Sequence, residues 1–208
     1  MVIKRGYIIL LVGKSGVGKS SVAEYMKKRY KYKILQSYTT RPKRAPNERG
    51  HRFVTDEEFD KLVNDMCAYT EFDGYRYCAT NKQVRAADIY IIDPAGVKYF
   101  REKYKGNKQI IVVELTAPTE TLFKRMKKRG DSTFKAFKRI IHDNRAFRNV
   151  EADLIINGTD SISTVAETIY KSCQMMVGIQ ASREIQSVQM SELDKELEIL
   201  DKAGKSNE

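Results

Sequence analysis

The chain has 208 residues, of which 31% are charged and 41% hydrophobic, and its formal net charge is +11. This length supplies one sizeable core rather than two full domains, and no apolar run reaches the length of a membrane span. The first predicted strand begins too close to Met1 to leave room for a signal peptide, which predicts a cytoplasmic protein.

The strong positive charge has two explanations. One is a basic patch that binds nucleic acid. The other is a pocket for polyphosphate together with a solvated, lysine-rich surface. Because no aromatic-basic motif accompanies the charge, we favour the second explanation and do not expect a nucleic-acid partner.

The cysteines and histidines do not form a metal-binding pattern. The three cysteines, Cys67, Cys78 and Cys173, are far apart, and there are only two histidines, His51 and His142. Buried free thiols are the expected state of such cysteines.

The first elements of the chain surround a glycine-rich motif. Residues 13–20 read Gly-Lys-Ser-Gly-Val-Gly-Lys-Ser and fit the pattern G-x-x-x-x-G-K-[ST]. They follow an apolar run, residues 7–12, that predicts a buried parallel strand, and they precede a segment to about Tyr30 that predicts a helix. In such a loop the backbone N–H groups cradle phosphates, the lysine adds a charge for the β- and γ-phosphates, and the last serine offers a hydroxyl to Mg²⁺.

This order of strand, loop and helix therefore predicts a site for ATP and Mg²⁺. The predicted ATP-binding residues of the loop are Gly13, Lys14, Ser15, Gly16, Val17, Gly18, Lys19, Ser20 and Ser21.

Positive charge is also concentrated in the next loop. A short strand is predicted at residues 34–40, and the segment 42–50 after it is rich in Pro, Asn and Gly, as is typical of a loop. Four cations, Arg41, Lys43, Arg44 and Arg49, lie within nine residues. Such a loop can clamp an anion, although a basic loop that binds nothing has a similar composition.

A helix and a hairpin follow this loop. Thr55 has the character of an N-cap, and the acidic residues after it predict a short helix at 56–63. Aromatic and β-branched residues at 68–80 flank Asp73-Gly74, which predicts a hairpin with a two-residue turn. We expect a small antiparallel insert beside the main sheet.

The rest of the chain alternates strands with helices, which predicts an α/β fold with a parallel sheet covered on both faces. Phosphate ligands are then expected at the carboxyl ends of the strands. Buried strands are predicted at 89–93, 109–115 and 152–157, and helices at about 94–104, 118–128, 132–149 and 162–176.

Beyond residue 178 the character of the chain changes. Apolar residues recur at roughly helical spacing among acidic ones, which predicts a C-terminal helical extension over residues 179–208. This helix can dock on its own domain or pair with a second copy in a homodimer. The recurring residues are Ile185, Val188, Leu193, Leu197 and Leu200.

Four stretches together resemble the guanylate kinase family, over about residues 7–175. They are residues 13–20, the segment Ser37-Tyr38-Thr39-Thr40-Arg41-Pro42-Lys43-Arg44 with Glu48 and Gly50, residues 93–97, and residues 124–130 leading to Arg139. The Ser-x-Thr-Thr-Arg-x-x-Arg element is specific to that family among P-loop proteins. The resemblance implies a three-layer P-loop α/β domain at 1–178, with a β-rich monophosphate-binding insert at about 36–90 and a short helical lid at about 124–145.

The resemblance also implies the activity. A guanylate-kinase-like enzyme uses ATP and Mg²⁺ to phosphorylate a nucleoside monophosphate, with GMP or dGMP as the default acceptor. The catalytic residues implied are Lys19, Arg41, Arg129 and Arg139. Further ATP contacts fall on Arg125 and Asn157, and Mg²⁺ on Ser20 with Asp93 through water. The acceptor-binding residues implied are Ser37, Arg41, Arg44, His51, Thr70, Tyr77, Thr80 and Asp93.

The base-reading positions of the family are not kept. The family's guanine-reading Glu aligns with Ala68, and its Ser or Thr aligns with Ala79. Glu71 lies three residues after Ala68, so strand alternation predicts that it points away. His51 takes the place of a phosphate-contacting Tyr.

These departures leave the acceptor open. A kinase of another phosphorylated acceptor, such as ribose 1,5-bisphosphate, is one alternative reading. A non-catalytic binding module is another, although such a module needs neither Lys19 nor Ser20.

Overall fold

The computed structural model describes residues 5–43, 46–179, 182 and 186, and the chain divides into two compact units, Met1–Ile169 and Tyr170–Glu208. The strands and helices are, in chain order, β1 (Tyr7–Gly13), α1 (Lys19–Tyr30), β2 (Ser37–Thr39), β3 (His51–Phe53), α2 (Asp56–Asp60), β4 (Met66–Phe72), β5 (Tyr75–Thr80), α3 (Asn81–Ala86), β6 (Ile89–Ile91), α4 (Pro94–Lys103), β7 (Gln109–Thr116), α5 (Thr119–Lys128), α6 (Thr133–Ala146) and β8 (Leu154–Asn157). Residues 162–179 form a further helix.

The main sheet is parallel and has the strand order β6-β1-β7-β8. β1 pairs with two neighbours, so that Ile9 lies opposite both Ile89 and Ile111. Every residue of β1 is buried, as expected for a central strand of a sheet covered on both faces. The prediction of a parallel α/β fold is confirmed.

A second, mixed sheet has the order β3-β2-β5-β4. β2 runs parallel to β3 and antiparallel to β5, and β4 and β5 form the predicted hairpin. Both turn residues have positive φ, 51° at Asp73 and 76° at Gly74, which matches the type I′ turn that Asp-Gly favours. This sheet lies within the range predicted for the insert.

One predicted strand is divided between the two sheets. Ile34 forms an isolated bridge with Ile89 of the main sheet, whereas residues 37–39 pair in the second sheet. The local sequence could not show this division, because the pairing partners of a strand lie far away in the chain. The short strand β3 was not predicted for the same reason, whereas α3 has a local signal, the capping box of Thr80 and Gln83, that was not recognised.

Two local predictions are confirmed at side-chain level. Thr55 caps α2: its Oγ1 accepts the Glu58 N–H, and the Glu58 carboxylate accepts the Thr55 N–H, which completes a capping box. The three cysteines are free and buried.

Most of the segment 185–200 lies outside the described residues, so the predicted C-terminal helix stays a prediction. None of the helices among the described residues combines the length and the hydrophobicity that a membrane span requires.

Candidate active site

The loop between β1 and α1 is curled tightly by its glycines. Gly13, Gly16 and Gly18 all have positive φ, a conformation that glycine adopts without strain. A Cβ on Gly13 would lie 2.6 Å from the carbonyl oxygen of Leu115, and one on Gly16 would lie 2.9 Å from that of Leu122. The close approach of this backbone to its neighbours therefore requires glycine.

Lys19 is the first residue of α1 and is partly buried. Its Nζ donates hydrogen bonds to the carbonyl oxygens of Gly13 and Lys14, the second at 3.3 Å. Burial lowers the pKa of Lys19 to about 8; two nearby arginines lower it too, while the carboxylate of Asp143 raises it. The ammonium is thus held over the loop, where it can exchange backbone carbonyls for phosphate oxygens.

A cavity of about 620 Å³ opens on one side of the loop. Its lining comes from the loop and α1, from three arginines in residues 125–139 and from the chain after β8. The lining residues outside the loop and α1 are Arg125, Arg129, Arg139, Gly158, Asp160, Ile162 and Val165. We call this the donor-side cavity. Ser20 and Ser21 line it, as predicted for ATP-binding residues.

Four of these lining residues, Gly158, Asp160, Ile162 and Val165, were not predicted from the sequence. The available signal was the position of Gly158 just beyond the carboxyl end of β8, two strands from β1 in the same sheet.

A second cavity of about 440 Å³ lies between β4, the β6–α4 connection and α6. We call it the acceptor-side cavity. Ser37, His51 and Tyr77 form a polar part of its lining: Ser37 Oγ lies 2.8 Å from His51 Nδ1, and the His51 and Tyr77 rings are 5.6 Å apart. Thr70 also lines it and lies opposite Tyr77 in the hairpin register. With Asp93, which also lines this cavity, the structure brings together five of the predicted acceptor residues.

The two cavities share part of their lining. Ser15, Lys19 and Arg139 line both of them. Two cations and a backbone segment of the glycine loop therefore lie where the cavities adjoin. A group passing from one cavity to the other would meet positive charge at this junction.

Arg41 is buried and held by Glu48. Its Nη2 lies 2.7 Å from Glu48 Oε1, and its Nη1 donates to the carbonyl of Pro42 at 2.8 Å. Chiefly the hydrogen bond with Glu48 raises the pKa of Arg41 above its usual value. Among the described residues the buried Nε–H of Arg41 has no acceptor, a condition that a bound anion would relieve.

The other predicted arginines have different partners. Arg125 Nη1 donates to the carbonyl oxygens of Val17 and Gly158, both at 2.9 Å, and so ties the loop to the end of β8. Arg129 is more exposed and pairs with Asp131. Both also line the donor-side cavity.

Two predicted site residues instead stabilise local turns. Thr80 is buried, and its Oγ1 accepts the Gln83 N–H at 3.3 Å to cap α3. Asn157 Oδ1 accepts the Thr159 N–H at 3.1 Å. Neither residue lines the two cavities, because short side chains at strand ends are used to satisfy nearby backbone N–H groups.

The two residues predicted to share Mg²⁺ line different cavities. Asp93 lines the acceptor-side cavity, and its Oδ1 accepts the Gly96 N–H at 2.7 Å as the N-cap of α4. Ser20 lines the donor-side cavity. Arg44, another predicted acceptor residue, lies outside the described residues.

Four consecutive residues of β4, from Tyr69 to Phe72, belong to the lining of the acceptor-side cavity. In the hairpin register Thr70 lies opposite Tyr77, which also lines the cavity, whereas Glu71 lies opposite Arg76 and accepts a hydrogen bond from the Tyr69 hydroxyl. Strand alternation therefore places the Glu71 side chain on the face opposite to Thr70, which agrees with the prediction that it points away. By contrast, the paired residues Ala68 and Ala79 are buried in the hydrophobic core.

Metal binding by the protein alone is not indicated by the described residues. No cluster of three or more His, Cys, Asp or Glu side chains among them could hold an ion. The residues present fit a Mg²⁺ that arrives with a nucleotide, since the Ser20 hydroxyl lies beside the phosphate-binding loop.

The fold and the loop define a P-loop protein with two adjoining cavities. A family model described as "AAA domain" matches residues 9–155. A guanylate kinase of Streptomyces coelicolor is 33% identical over 138 residues, 61% of this chain and 68% of the relative. A guanylate kinase of Aster yellows witches'-broom phytoplasma is 27% identical over 179 residues, 80% of this chain and 84% of the relative.

The solved structures include a similar fold. The crystal structure of guanylate kinase from Anaplasma phagocytophilum matches with a TM-score of 0.57 at 20% identity, covering 84% of this chain and 88% of that one. With the sequence relatives, the chain belongs to the guanylate kinase family.

Proposed function

We propose that the protein transfers the terminal phosphoryl group of ATP to a nucleoside monophosphate, with GMP or dGMP as the default acceptor, and releases the diphosphate and ADP. The observation that carries this proposal is the junction of the two cavities, where Ser15, Lys19 and Arg139 line both. Phosphoryl transfer needs two bound anions in line and fixed positive charge between them.

The donor-side cavity supplies the groups that hold ATP. The N–H groups of the loop and of the first turn of α1 would donate hydrogen bonds to the phosphates of ATP, and Lys19 would add its ammonium. Magnesium, bound with ATP and contacted by the Ser20 hydroxyl, would neutralise phosphate charge. Arg139 and Arg129 would stabilise the charge that spreads over the transferred group.

The acceptor-side cavity supplies the groups that hold the second phosphate. Ser37, His51 and Tyr77 converge there. Arg41 is not among the residues that line this cavity, but it interacts with Tyr77 and has a buried N–H without an acceptor among the described residues. An arginine fork binds a phosphate at two points, which fixes its orientation for attack. The attacking oxygen belongs to this phosphate, so orientation controls the reaction.

The groups that would bind the acceptor base differ from those of the family. The curated relatives reported above are named guanylate kinases, which supports GMP as the default. In this chain the positions that align with the guanine-reading groups are Ala68 and Ala79, which are core residues without a hydrogen-bonding side chain. We infer that this protein reads its acceptor base by contacts of its own.

The test is turnover of MgATP with a panel of ribo- and deoxyribonucleoside monophosphates and ribose 1,5-bisphosphate. We expect ADP formation with at least one monophosphate, and a loss of at least about a hundredfold in kcat/KM for Lys19→Met. Lys27→Met, an exposed lysine on the same helix, is the matched control and should be unchanged.

Turnover of ribose 1,5-bisphosphate but of no nucleoside monophosphate would support the alternative acceptor instead. Failure of every acceptor would refute the kinase proposal and favour a binding module.

The proposal includes a cytoplasmic location, because the reaction consumes ATP and nucleoside monophosphates. A homodimer formed through residues 185–200 remains a prediction, which light scattering of the full chain would test.

A further inference from the structure

Helix α6 places a carboxylate on the phosphate-binding loop. Asp143 is 8% exposed, and its Oδ2 accepts the Ser15 N–H at 2.6 Å. The next residue makes a second contact with the loop, because Asn144 Oδ1 accepts a hydrogen bond from Lys14 Nζ at 2.7 Å. Two consecutive residues of α6 thus bind two consecutive residues of the loop.

This carboxylate lies at the junction of the two cavities. Asp143 lines the acceptor-side cavity, and its hydrogen-bond donor, Ser15, lines both cavities. Its negative charge also acts on Lys19, where it opposes the effect of burial. A single negative group therefore uses one loop N–H and partly neutralises the loop lysine.

We propose that Asp143 is a resident anion, which in the nucleotide-free protein occupies the position that the transferred phosphoryl group takes at the cavity junction. The inference rests on the proposed function, which defines that junction as the point of transfer. A single N–H cannot donate well to both a carboxylate and a phosphate oxygen, and the negative charges of the two groups would repel each other when both lie beside this N–H. The γ-phosphate must therefore displace Asp143.

The consequence is discrimination between nucleotides at the donor side. Binding of a triphosphate is weakened by the free energy needed to move Asp143 away from Ser15. A diphosphate lacks the terminal group and leaves this contact in place. Asp143 is in this sense a specificity-determining residue that acts before transfer.

The test compares two ligands in one variant by titration calorimetry. Asp143→Asn keeps an oxygen for the Ser15 N–H but removes the charge. We expect it to bind a non-hydrolysable ATP analogue with Mg²⁺ about tenfold more tightly than the unchanged protein does, and to bind MgADP within about twofold. Glu120→Gln, which removes an exposed carboxylate paired with Lys124, is the matched control and should change neither affinity.

Equal tightening for both nucleotides would mean a general charge effect, and no tightening for the analogue would mean that Asp143 is not displaced; either result overturns the inference. If the variant does not fold, the Ser15 amide resonance of the unchanged protein decides. It should shift strongly with the analogue and little with MgADP, and no shift with the bound analogue contradicts the inference. Absence of any nucleotide binding to the unchanged protein would refute the proposed function as well.

Discussion

At the scale of single residues, the site depends on cations held in unusual surroundings. Lys19 donates to loop carbonyls and has a lowered pKa, and Arg41 is buried with one N–H that lacks an acceptor among the described residues. Both states are costly without an anion, so phosphate binding would relieve them. Two predictions follow from these surroundings.

The first concerns pH. The pKa of Lys19 is lowered from 10.5 to about 8, so the cation is present below that pH and is lost as pH rises through it. We expect the affinity of the nucleotide-free protein for MgATP to fall above about pH 8, well before an ordinary lysine would titrate. Calorimetry across this range measures the effect, and Lys19→Met should show no such fall. An affinity that stays constant to about pH 10 would contradict the prediction.

The second concerns the arginine fork. Arg41→Lys keeps the charge but cannot bind phosphate at two points, so we expect the KM for the acceptor to rise about tenfold while the KM for ATP stays within about twofold. Arg52→Lys, an exposed arginine of β3, is the control. The melting temperature of the Arg41→Lys variant checks that altering the ion pair with Glu48 does not destabilise the fold. A loss in kcat with unchanged KM would show that Arg41 acts in transfer rather than in binding.

At the scale of elements, the hairpin of β4 and β5 positions much of the acceptor side. Its strands carry Thr70 and Tyr77 to the cavity, and its register depends on the turn at Asp73-Gly74. A turn with positive φ at both central residues favours glycine at the second.

Gly74→Ala tests this element. Gly74 has a φ of +76°, and an added Cβ would meet nothing within 4 Å, so the cost is conformational alone. We expect a loss of about 1 kcal/mol in the free energy of unfolding, measured by urea denaturation. Gly6→Ala, where an added Cβ also has open space and φ is not positive, should cost much less. Equal effects at the two positions would show that the turn is not strained.

At the scale of the whole molecule, the main sheet and the second sheet place two cavities side by side. Cations line both, so one long anion should fit better than two separate ones. Linking two ligands raises the effective concentration of the second once the first is bound.

A molecule in which adenosine and guanosine are joined through a polyphosphate tests this arrangement. We expect it to raise the melting temperature of the protein more than the same concentrations of an ATP analogue and GMP together. An equal or smaller rise would mean that the two cavities do not form one continuous site.

The sequence by itself determined the elements whose causes are local. The strand, glycine loop and helix at residues 7–30 follow from an apolar run and from glycines that can adopt positive φ. The hairpin follows from Asp73-Gly74, and the parallel sheet from alternating strands and helices. Each of these depends on residues within a few positions of one another, so a pattern can reveal it.

Only the tertiary structure decided which of these residues share a site. Asp143 reaches Ser15 across 128 positions of the chain, and it lines the acceptor-side cavity beside residues of the hairpin. Thr80 and Asn157 accept hydrogen bonds from nearby backbone N–H groups and do not line either cavity. The physical reason is that local rules describe how one element forms, whereas the lining of a cavity depends on how elements far apart in the chain pack against each other.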